Sequence, residues 1–164
     1  MSFTDPITEL HASFSDPAAS ATAWETGLNE LKSAEVYWLT TVRPDGRPHV
    51  TPLNAVWHSG CMYFATGPEE RKALNLATNS HCILTTGCNA LNSGLDIVVE
   101  GQAERESDAS MLHVLAHAFA DKYPSWDFND GDGEPGLAHV YRVRPRKAFG
   151  FAKGKPFSQT RWQF

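Results

Sequence analysis

Three short segments rich in β-branched and aromatic residues constrain the fold of this chain more than any other feature. Residues 36–42, 49–57 and 61–65 have the composition typical of strands. Pro44-Asp45-Gly46 separates the first two segments; its proline presets φ, and the Asp-Gly pair tolerates a positive φ. His58-Ser59-Gly60 supplies the second turn signal. This order of strands and turns predicts an antiparallel meander.

The rest of the chain alternates between predicted helices and further strands. Helices are predicted over residues 22–32 and 68–78 and after Ser107, which is placed to cap the third helix. The apolar stripe of that third helix consists of Met111, Leu112, Leu115, Ala118 and Phe119. Further strands are predicted over residues 82–86, 95–104, 138–143 and 147–151. Six or seven short, mostly antiparallel strands with small helices favour a mainly β, α+β fold built as a barrel rather than a sandwich.

The first predicted strand, residues 36–42, is apolar on both of its faces. We therefore expect it to be covered twice, by the barrel core on one side and by a helix or a second subunit on the other. Residues 1–20 show little periodicity and are expected to form a loose N-terminal extension. Residues 21–164 are then expected to form a single domain.

Composition bounds the class of protein. The chain has 164 residues, of which 41% are hydrophobic and 20% are charged, as is typical of a globular protein with a sizeable core. Three cysteines do not indicate a disulfide framework. No signal peptide is visible, and no apolar run approaches the ~20 residues of a membrane helix. We therefore expect a cytoplasmic location.

Charge is divided unevenly along the chain. The last 28 residues contain 7 of the 14 Lys and Arg residues and none of the 19 Asp and Glu residues. Arg142, Arg144 and Arg146 alternate and would share one face of a strand, either as a solvated face or as part of an anion site. Lys153, Lys155 and Arg161 follow and would form either a second solvated face or a rim for an anionic ligand.

Several familiar motifs fail on their context. The segment 131–136 matches G-x-G-x-x-G, but an acidic loop precedes it and Pro135 lies inside it. His113 and His117 lie one helical turn apart without the Glu that an H-E-x-x-H metal site needs. No G-x-S-x-G sequence marks a nucleophilic serine. We therefore expect no metal site.

The segment 66–76, TGPEERKALNL, is the most informative one for function. It places Thr66 at the end of a strand and Arg71 and Lys72 in the first turn of a helix, with Asn75 one turn further on the face of Arg71. Helix N-termini offer free N–H groups and a positive dipole end, and the two cations add charge-assisted donors. The segment is thus either a phosphate site or a solvated, charged helix start.

The order of these parts resembles the split-barrel family that includes pyridoxamine 5′-phosphate oxidase and the flavin- or deazaflavin-dependent oxidoreductases. The resemblance covers roughly residues 22–164. The matching segments read YWLTTVRPDGRPHVTPL from Tyr37, MYFATG from Met62, RKALNL from Arg71, VVEGQA from Val98 and SQTRWQF from Ser158. The first and third of these are fairly specific to the superfamily and much less specific to one reaction.

This resemblance implies a six-stranded antiparallel split β-barrel with small flanking helices. It also implies a homodimer with two cofactors at the interface. In that family arrangement, Arg71 and Lys72 hold the cofactor phosphate, and Thr66 and Asn75 help them. The chain around residues 49–53 would lie along the cofactor ring, with backbone groups reading its polar edge; the residues concerned are His49, Val50, Thr51 and Pro52.

The C-terminal segment completes the implied site. In the family an aromatic and basic C-terminus reaches the cofactor region, which indicates Arg161 and Trp162 in this chain. The chain is shorter than the vitamin B6 oxidase, and that enzyme's full set of substrate-phosphate residues is not found in it. The resemblance therefore does not imply oxidation of pyridoxine phosphate.

The function implied is an oxidoreductase that uses FMN or F420 to transfer a hydride to or from a small organic substrate. No catalytic side chain is assigned, and His49 is the single candidate for a test. The alternative is a non-catalytic flavin- or haem-binding protein on the same scaffold. An acidic body and the absence of aromatic residues interleaved on the arginine face argue against a nucleic-acid arm.

Overall fold

Strands dominate the structure, a computed structural model that describes residues 5–125 and 138–164. This part of the chain contains nine strands, three α-helices and one 3-10 turn. In chain order they are β1 (Ile7–Leu10), the 3-10 turn (Ala12–Phe14), α1 (Trp24–Ser33), β2 (Tyr37–Val42), β3 (Pro48–Leu53), β4 (Ala55–His58), β5 (Cys61–Thr66), α2 (Arg71–Thr78), β6 (His81–Thr86), β7 (Leu95–Arg105), α3 (Ala109–Lys122), β8 (His139–Ala152) and β9 (Ser158–Gln163).

The strands pair antiparallel in the order β3-β2-β6-β7-β8-β5-β4. The two ends of this path, β3 and β4, are consecutive in the chain and are separated by Asn54 alone. Six strands therefore surround the core when β3 and β4 are counted as one bent strand. This arrangement confirms the mainly β, antiparallel split barrel with small helices.

The predicted meander needs one correction at Asn54. Residues 49–57 do not form a single returning strand, because among the described strands β3 pairs only with β2 and β4 only with β5. The chain bends between the two halves so that each can pair with a different neighbour. Asn is a poor strand former and suits such a corner.

Both predicted turns are confirmed. Gly46 has a φ of +84°, and its N–H donates to the carbonyl of Arg43 over 2.8 Å. Ser59 and Gly60 have φ values of +46° and +76° and join β4 to β5. Two consecutive positive φ values are typical of the type I′ hairpin, whose twist matches that of paired strands.

Residues 1–20 were expected to be loose, but the described part of this segment is ordered by the sheet. Ile7–Leu10 pairs with β9 along its whole length, and the His11 N–H donates to the carbonyl of Gln159 over 2.8 Å. Strand β9 in turn pairs with the second half of β8. Strand β1 is not evident from the sequence, because four residues are too few for a clear alternation.

The two predicted C-terminal strands are one long strand, β8. Its first half pairs with β5, its second half pairs with β9, and β7 runs beside both halves. The register between β7 and β8 shifts at Gly101, which faces Pro145, so Arg146 is an extra residue on β8. A bulge accommodates a proline because that position needs no ladder hydrogen bond.

Two helix starts also differ from the prediction. Helix α2 begins at Arg71 rather than at Pro68, since Glu70 still has an extended ψ of 146°. Helix α3 is capped by Asp108 rather than Ser107; the Asp108 carboxylate accepts a hydrogen bond from the Met111 N–H over 2.8 Å. Asp is as good an N-cap as Ser, so the residue types alone do not show which of Ser107 and Asp108 caps the helix.

Apolar side chains form two clusters. The larger cluster fills the barrel and includes Tyr37, Leu39, Phe64 and Trp162. The smaller one lies under α3, where Leu115 and Phe119 are buried and the other residues of the predicted stripe pack against them. The stripe prediction is thereby confirmed.

Strand β2 is covered on one face only within the described chain. Its inner residues Tyr37, Leu39 and Thr41 are fully buried. On its outer face Trp38 is 51% exposed, and the neighbouring Val50 of β3 is 52% exposed. The outer face is therefore an apolar surface open to solvent in the single chain.

Candidate functional site

The candidate site lies where β5 ends and α2 begins. Strand β5 delivers Thr66 to this point, and a turn closed by the hydrogen bond from the Glu70 N–H to the carbonyl of Gly67, 3.2 Å long, leads into α2. Helix α2 packs against β2. Thr66, Lys72 and Asn75 are all buried, which brings polar side chains to the edge of the barrel core.

Glu70 is the centre of a hydrogen-bond cluster at this turn. Its Oε1 accepts from the Thr66 hydroxyl and from the Gly67 N–H, each over 2.9 Å. Its Oε2 accepts from Lys72 Nζ. Partial burial opposes the ionisation of Glu70, but the hydrogen bonds from Lys72, Gly67 and Thr66 outweigh it and hold its pKa below the ordinary value.

Asn75 connects α2 to the barrel wall. Its Nδ2 donates to the hydroxyl of Thr41 on β2 over 3.0 Å, and both residues are fully buried. Thr41 lies opposite His49, and Leu39 lies opposite Thr51, in the β2–β3 ladder. Residues directly opposite in an antiparallel pair share a face, so His49 and Thr51 lie on the inner face with Thr41.

This inner face holds buried polar atoms without hydrogen-bond partners. Within residues 5–125 and 138–164 these atoms include His49 Nδ1, Thr51 Oγ1 and Asn75 Oδ1. Leaving a buried polar atom unpaired costs about 1–3 kcal/mol, and such atoms are uncommon in native proteins. Three of them on adjacent elements are typical of a ligand site.

The electrostatics of the site favour an anion. Burial lowers the pKa of His49 below its ordinary value, and the positive charges of Arg43, Lys72 and Arg71 lower it further. The imidazole is therefore neutral at neutral pH and is surrounded by three cations. Glu70 is the one carboxylate that contacts Lys72 among the described residues.

These residues fit the phosphate group of a flavin nucleotide or of a deazaflavin. Arg71 and Lys72 supply two cations at the start of α2, and a helix start adds free N–H groups and its positive dipole end. The unpaired atoms of His49, Thr51 and Asn75 fit the polar groups of such a ligand. The Glu70 carboxylate, however, engages three of the donors that would face a phosphate.

Six of the ten predicted site residues have side chains at the start of α2 or on the inner face beside it, and the side chains of the other four lie elsewhere. The six are Thr66, Arg71, Lys72, Asn75, His49 and Thr51. Val50 and Pro52 lie on the outer face of β3, because successive side chains of a strand point to opposite faces. They line the exposed surface beside Trp38 instead.

Arg161 and Trp162 lie on β9, away from α2. Arg161 forms an ion pair with Glu9 of β1. Trp162 is fully buried, its indole N–H donates to the carbonyl of Thr22 over 3.1 Å, and its ring packs against Trp24. A fully buried indole has no surface left for a ligand, so the structure makes Trp162 a core residue rather than a cofactor contact.

Within the described part of the chain, three of the seven cations in the basic C-terminal segment form ion pairs with acids of the body, and Arg161 is one of them. Arg142 pairs with Glu104 over 2.8 Å, and Lys153 pairs with Asp96 over 2.9 Å. The antiparallel pairing of β8 with β7 brings these oppositely charged residues together. The uneven division of charge along the sequence is therefore partly balanced in space.

Thr41, Arg43 and Glu70 are members of the site that sequence reasoning missed. Thr41 and Arg43 could have been found from the turn at Gly46, which sets the register that places Thr41 opposite His49. Glu70 lies in the predicted segment 66–76, but its residue type alone assigns it no contact there. Its contacts with Thr66 and Gly67 depend on where the helix begins, which the sequence prediction placed too early.

Other candidates from the sequence contribute no chemistry to this site. His113 and His117 are exposed on α3, with their Nε2 atoms 3.3 Å apart. The described residues contain no group of three or more potential metal ligands. The G-x-G-x-x-G match at residues 131–136 lies outside the described residues. In the same described part, no helix has both the length and the apolar character needed to cross a membrane.

Comparison with known proteins identifies similar sequences and folds. Residues 25–151 match the sequence profile of the family described as pyridoxamine 5′-phosphate oxidase. No curated protein sequence matches the chain. The conserved hypothetical protein Rv2991 from Mycobacterium tuberculosis shares 19% identity and has a TM-score of 0.71, over 84% of this chain and 89% of its own.

Two further solved structures are similar in fold. A FAD-binding protein from Mesorhizobium loti is 15% identical with a TM-score of 0.62, and the match covers 97% of this chain and 99% of that one. A haem-binding protein from Mycobacterium smegmatis is 15% identical with a TM-score of 0.59, over 77% of this chain and 52% of that one. At these identities the likeness shows the fold alone.

Proposed function

Because the chain belongs to the pyridoxamine 5′-phosphate oxidase family, we propose that it is an oxidoreductase that uses FMN or the deazaflavin F420. The observation that supports this most directly is the group of unpaired buried polar atoms on His49, Thr51 and Asn75 beside the cations of α2. A bound ligand that forms hydrogen bonds with these atoms would account for their lack of partners within the protein.

In this proposal the start of α2 holds the cofactor phosphate. Arg71 presents a planar fork that matches phosphate oxygens, and Lys72 adds a charge that is held in place by burial. Thr66 contributes a hydroxyl donor from the end of β5. Asn75 fixes α2 against β2 through Thr41 and thereby sets the distance between the cations and the barrel wall.

Strand β3 then lies beside the ring of the cofactor. When bound, the isoalloxazine or deazaflavin ring would accept or donate the hydride. The chain's own part is to bind and orient the ring and to exclude water from its inner face. His49 is neutral and has an unpaired Nδ1, so it can accept or donate one hydrogen bond to a polar edge in that position.

A homodimer belongs to the same proposal. Trp38 and Val50 are both about half exposed on the outer face of β2 and β3. Pro52 lies directly opposite Trp38 and extends the apolar surface. A second copy of the chain is the occupant we propose, since strand β2 is apolar on both faces and the described chain covers only one.

We also propose a cytoplasmic location. All three cysteines carry free thiols, and Cys61 and Cys82 are buried. Burial raises the pKa of the Cys82 thiol to about 12, which keeps it protonated and unreactive. A chain with only free thiols suits a reducing compartment.

The test of the proposed function is the identity of the cofactor. The absorbance spectrum of freshly purified protein should show a flavin or deazaflavin, and mass analysis of the released ligand should give FMN or F420. The bound cofactor should also be reduced and reoxidised by exchange with an external donor and acceptor.

Two results would contradict the oxidoreductase. If the protein binds neither FMN nor F420 at micromolar concentrations, both proposed cofactors are ruled out. A bound flavin that no donor can reduce, or a released haem, would favour the non-catalytic binding protein on the same fold.

A further inference from the structure

We infer that the Glu70 carboxylate competes with the cofactor phosphate for the same hydrogen-bond donors. The competition weakens the binding of ligands that carry a phosphate relative to ligands that lack one. This inference rests on the proposed function, because it concerns the same phosphate site. The proposed function needs a phosphate to bind at the start of α2. The carboxylate of Glu70 occupies the hydrogen-bond donors that this phosphate would use.

The contacts of Glu70 are those of a bound anion. One carboxylate oxygen accepts from a side-chain hydroxyl and a backbone N–H, those of Thr66 and Gly67, at 2.9 Å each. The other oxygen accepts from the ammonium of Lys72. A hydroxyl, a backbone amide and a lysine at a helix start are the donor set of a phosphate site.

Burial indicates which partner would move. The Lys72 side chain is only 10% exposed, whereas that of Glu70 is 49% exposed. Lys72 is therefore fixed by its surroundings, and Glu70 can turn into solvent. An arriving phosphate could replace the carboxylate on the same donors without moving α2.

Competition of this kind depends on charge. A ligand with a phosphate must displace Glu70 from Thr66, Gly67 and Lys72, and then lies near a carboxylate that repels it. A ligand of the same ring system without a phosphate needs none of these donors and does not disturb Glu70. Removing the charge of Glu70 should therefore strengthen the binding of FMN and leave that of riboflavin unchanged.

The neighbouring residue supplies a matched control. Glu69 carries the same charge one residue earlier and is exposed. The Glu69→Gln variant changes the net charge of the segment as Glu70→Gln does. Any general electrostatic effect of losing one negative charge near α2 is thus present in both variants.

The experiment is an equilibrium titration of wild type, Glu70→Gln and Glu69→Gln with FMN, F420 and riboflavin. We expect Glu70→Gln to bind the phosphate-bearing cofactor about tenfold more tightly than wild type, a change that corresponds to one decade in Kd. Riboflavin affinity should be the same in all three proteins, and Glu69→Gln should behave as wild type. A thermal melt of the Glu70→Ala variant, compared with that of wild type, shows whether loss of the Glu70 side chain destabilises the fold.

The outcomes separate the two claims. If FMN or F420 binds but Glu70→Gln binds it no more tightly than Glu69→Gln does, the inference on Glu70 is wrong and the proposed function stands. An equal gain for riboflavin would also overturn the inference. If no cofactor binds any of the proteins, both claims fail. Binding by Glu70→Gln alone would support the competition directly.

Discussion

At the scale of single residues, the site depends on polar side chains that the barrel core buries. Asn75 and Thr41 are fully buried and hydrogen-bonded to each other. Arg71, Lys72 and Asn75 were predictable from the sequence, because they lie on one predicted helix with Arg71 and Asn75 one turn apart. Thr41 and Glu70 were not predictable as site residues. The position of Thr41 depends on the register between β2 and β3, and that of Glu70 depends on which residue begins α2.

His49 gives a prediction on pH dependence. Its pKa in the folded protein lies below the ordinary value of 6.5, chiefly because of burial and then because of Arg43, Lys72 and Arg71. The unfolded chain therefore binds the proton more readily, and the stabilising contribution present above pH 6.5 is lost as the pH falls through the folded pKa. Urea unfolding at pH 7 and pH 5 should show a larger loss for wild type than for His49→Gln.

The same residue can be followed directly. The ring resonances of His49 should titrate below 6.5 in wild type and closer to 6.5 in Arg43→Gln, which removes one nearby positive charge. Equal loss of stability in wild type and His49→Gln, together with a titration midpoint at or above 6.5, would contradict the electrostatic description of the site.

At the scale of elements, strands with clear composition were predictable and pairings between distant segments were not. Residues 36–42 and 61–65 were placed within one residue of β2 and β5. Strand β1 and the pairing of β9 with both β1 and β8 were missed. Those pairings join segments that are far apart in the chain, and such contacts leave no local signal in β9.

The packing of Trp162 against Gly27 of α1 and Gly150 of β8 gives a second prediction. A Cβ added at Gly150 would lie 2.4 Å from Cη2 of Trp162, and one at Gly27 would lie 2.8 Å from the same atom. Gly150→Ala should therefore destabilise the fold by about 1–3 kcal/mol through overpacking. The loss should shrink in a Trp162→Phe background, because that substitution removes the atom in conflict.

Denaturant unfolding of the two single variants and the double variant measures this coupling. A Gly150→Ala cost that is the same in both backgrounds would show that Trp162 is not the residue in contact. The Trp162→Phe variant should also bind FMN as wild type does, since Trp162 is fully buried in the core.

At the scale of the whole molecule, the sheet brings the acidic body and the basic C-terminal segment together. Arg142, Lys153 and Arg161 each pair with an acid from an earlier strand. Removing residues 153–164 would delete β9 and would disrupt the sheet, so single substitutions are the appropriate probes of this charge. The outer face of β2 and β3 is the surface on which the proposed homodimer would form, so substitutions there test the oligomeric state.

A third prediction concerns that surface. Trp38→Lys should convert the proposed homodimer to a monomer, because it places a charge in an apolar interface. Leu91→Lys is the control, since Leu91 is 86% exposed in a loop and lies in no strand. Light scattering after size-exclusion chromatography gives the mass of each variant. A monomeric wild type, or a Trp38→Lys dimer as stable as wild type, would contradict the dimer.

We propose that the start of α2 holds the phosphate of the cofactor, and calorimetric titration with FMN and F420 measures that contact. Lys72→Met keeps the buried methylene stem and removes the charge, and Arg144→Gln removes an exposed arginine of β8 as the control. We predict that Lys72→Met weakens binding of the phosphate-bearing cofactor at least about tenfold, the effect of losing one charge-assisted contact, while Arg144→Gln binds as wild type. Equal affinity in wild type and Lys72→Met would contradict the account.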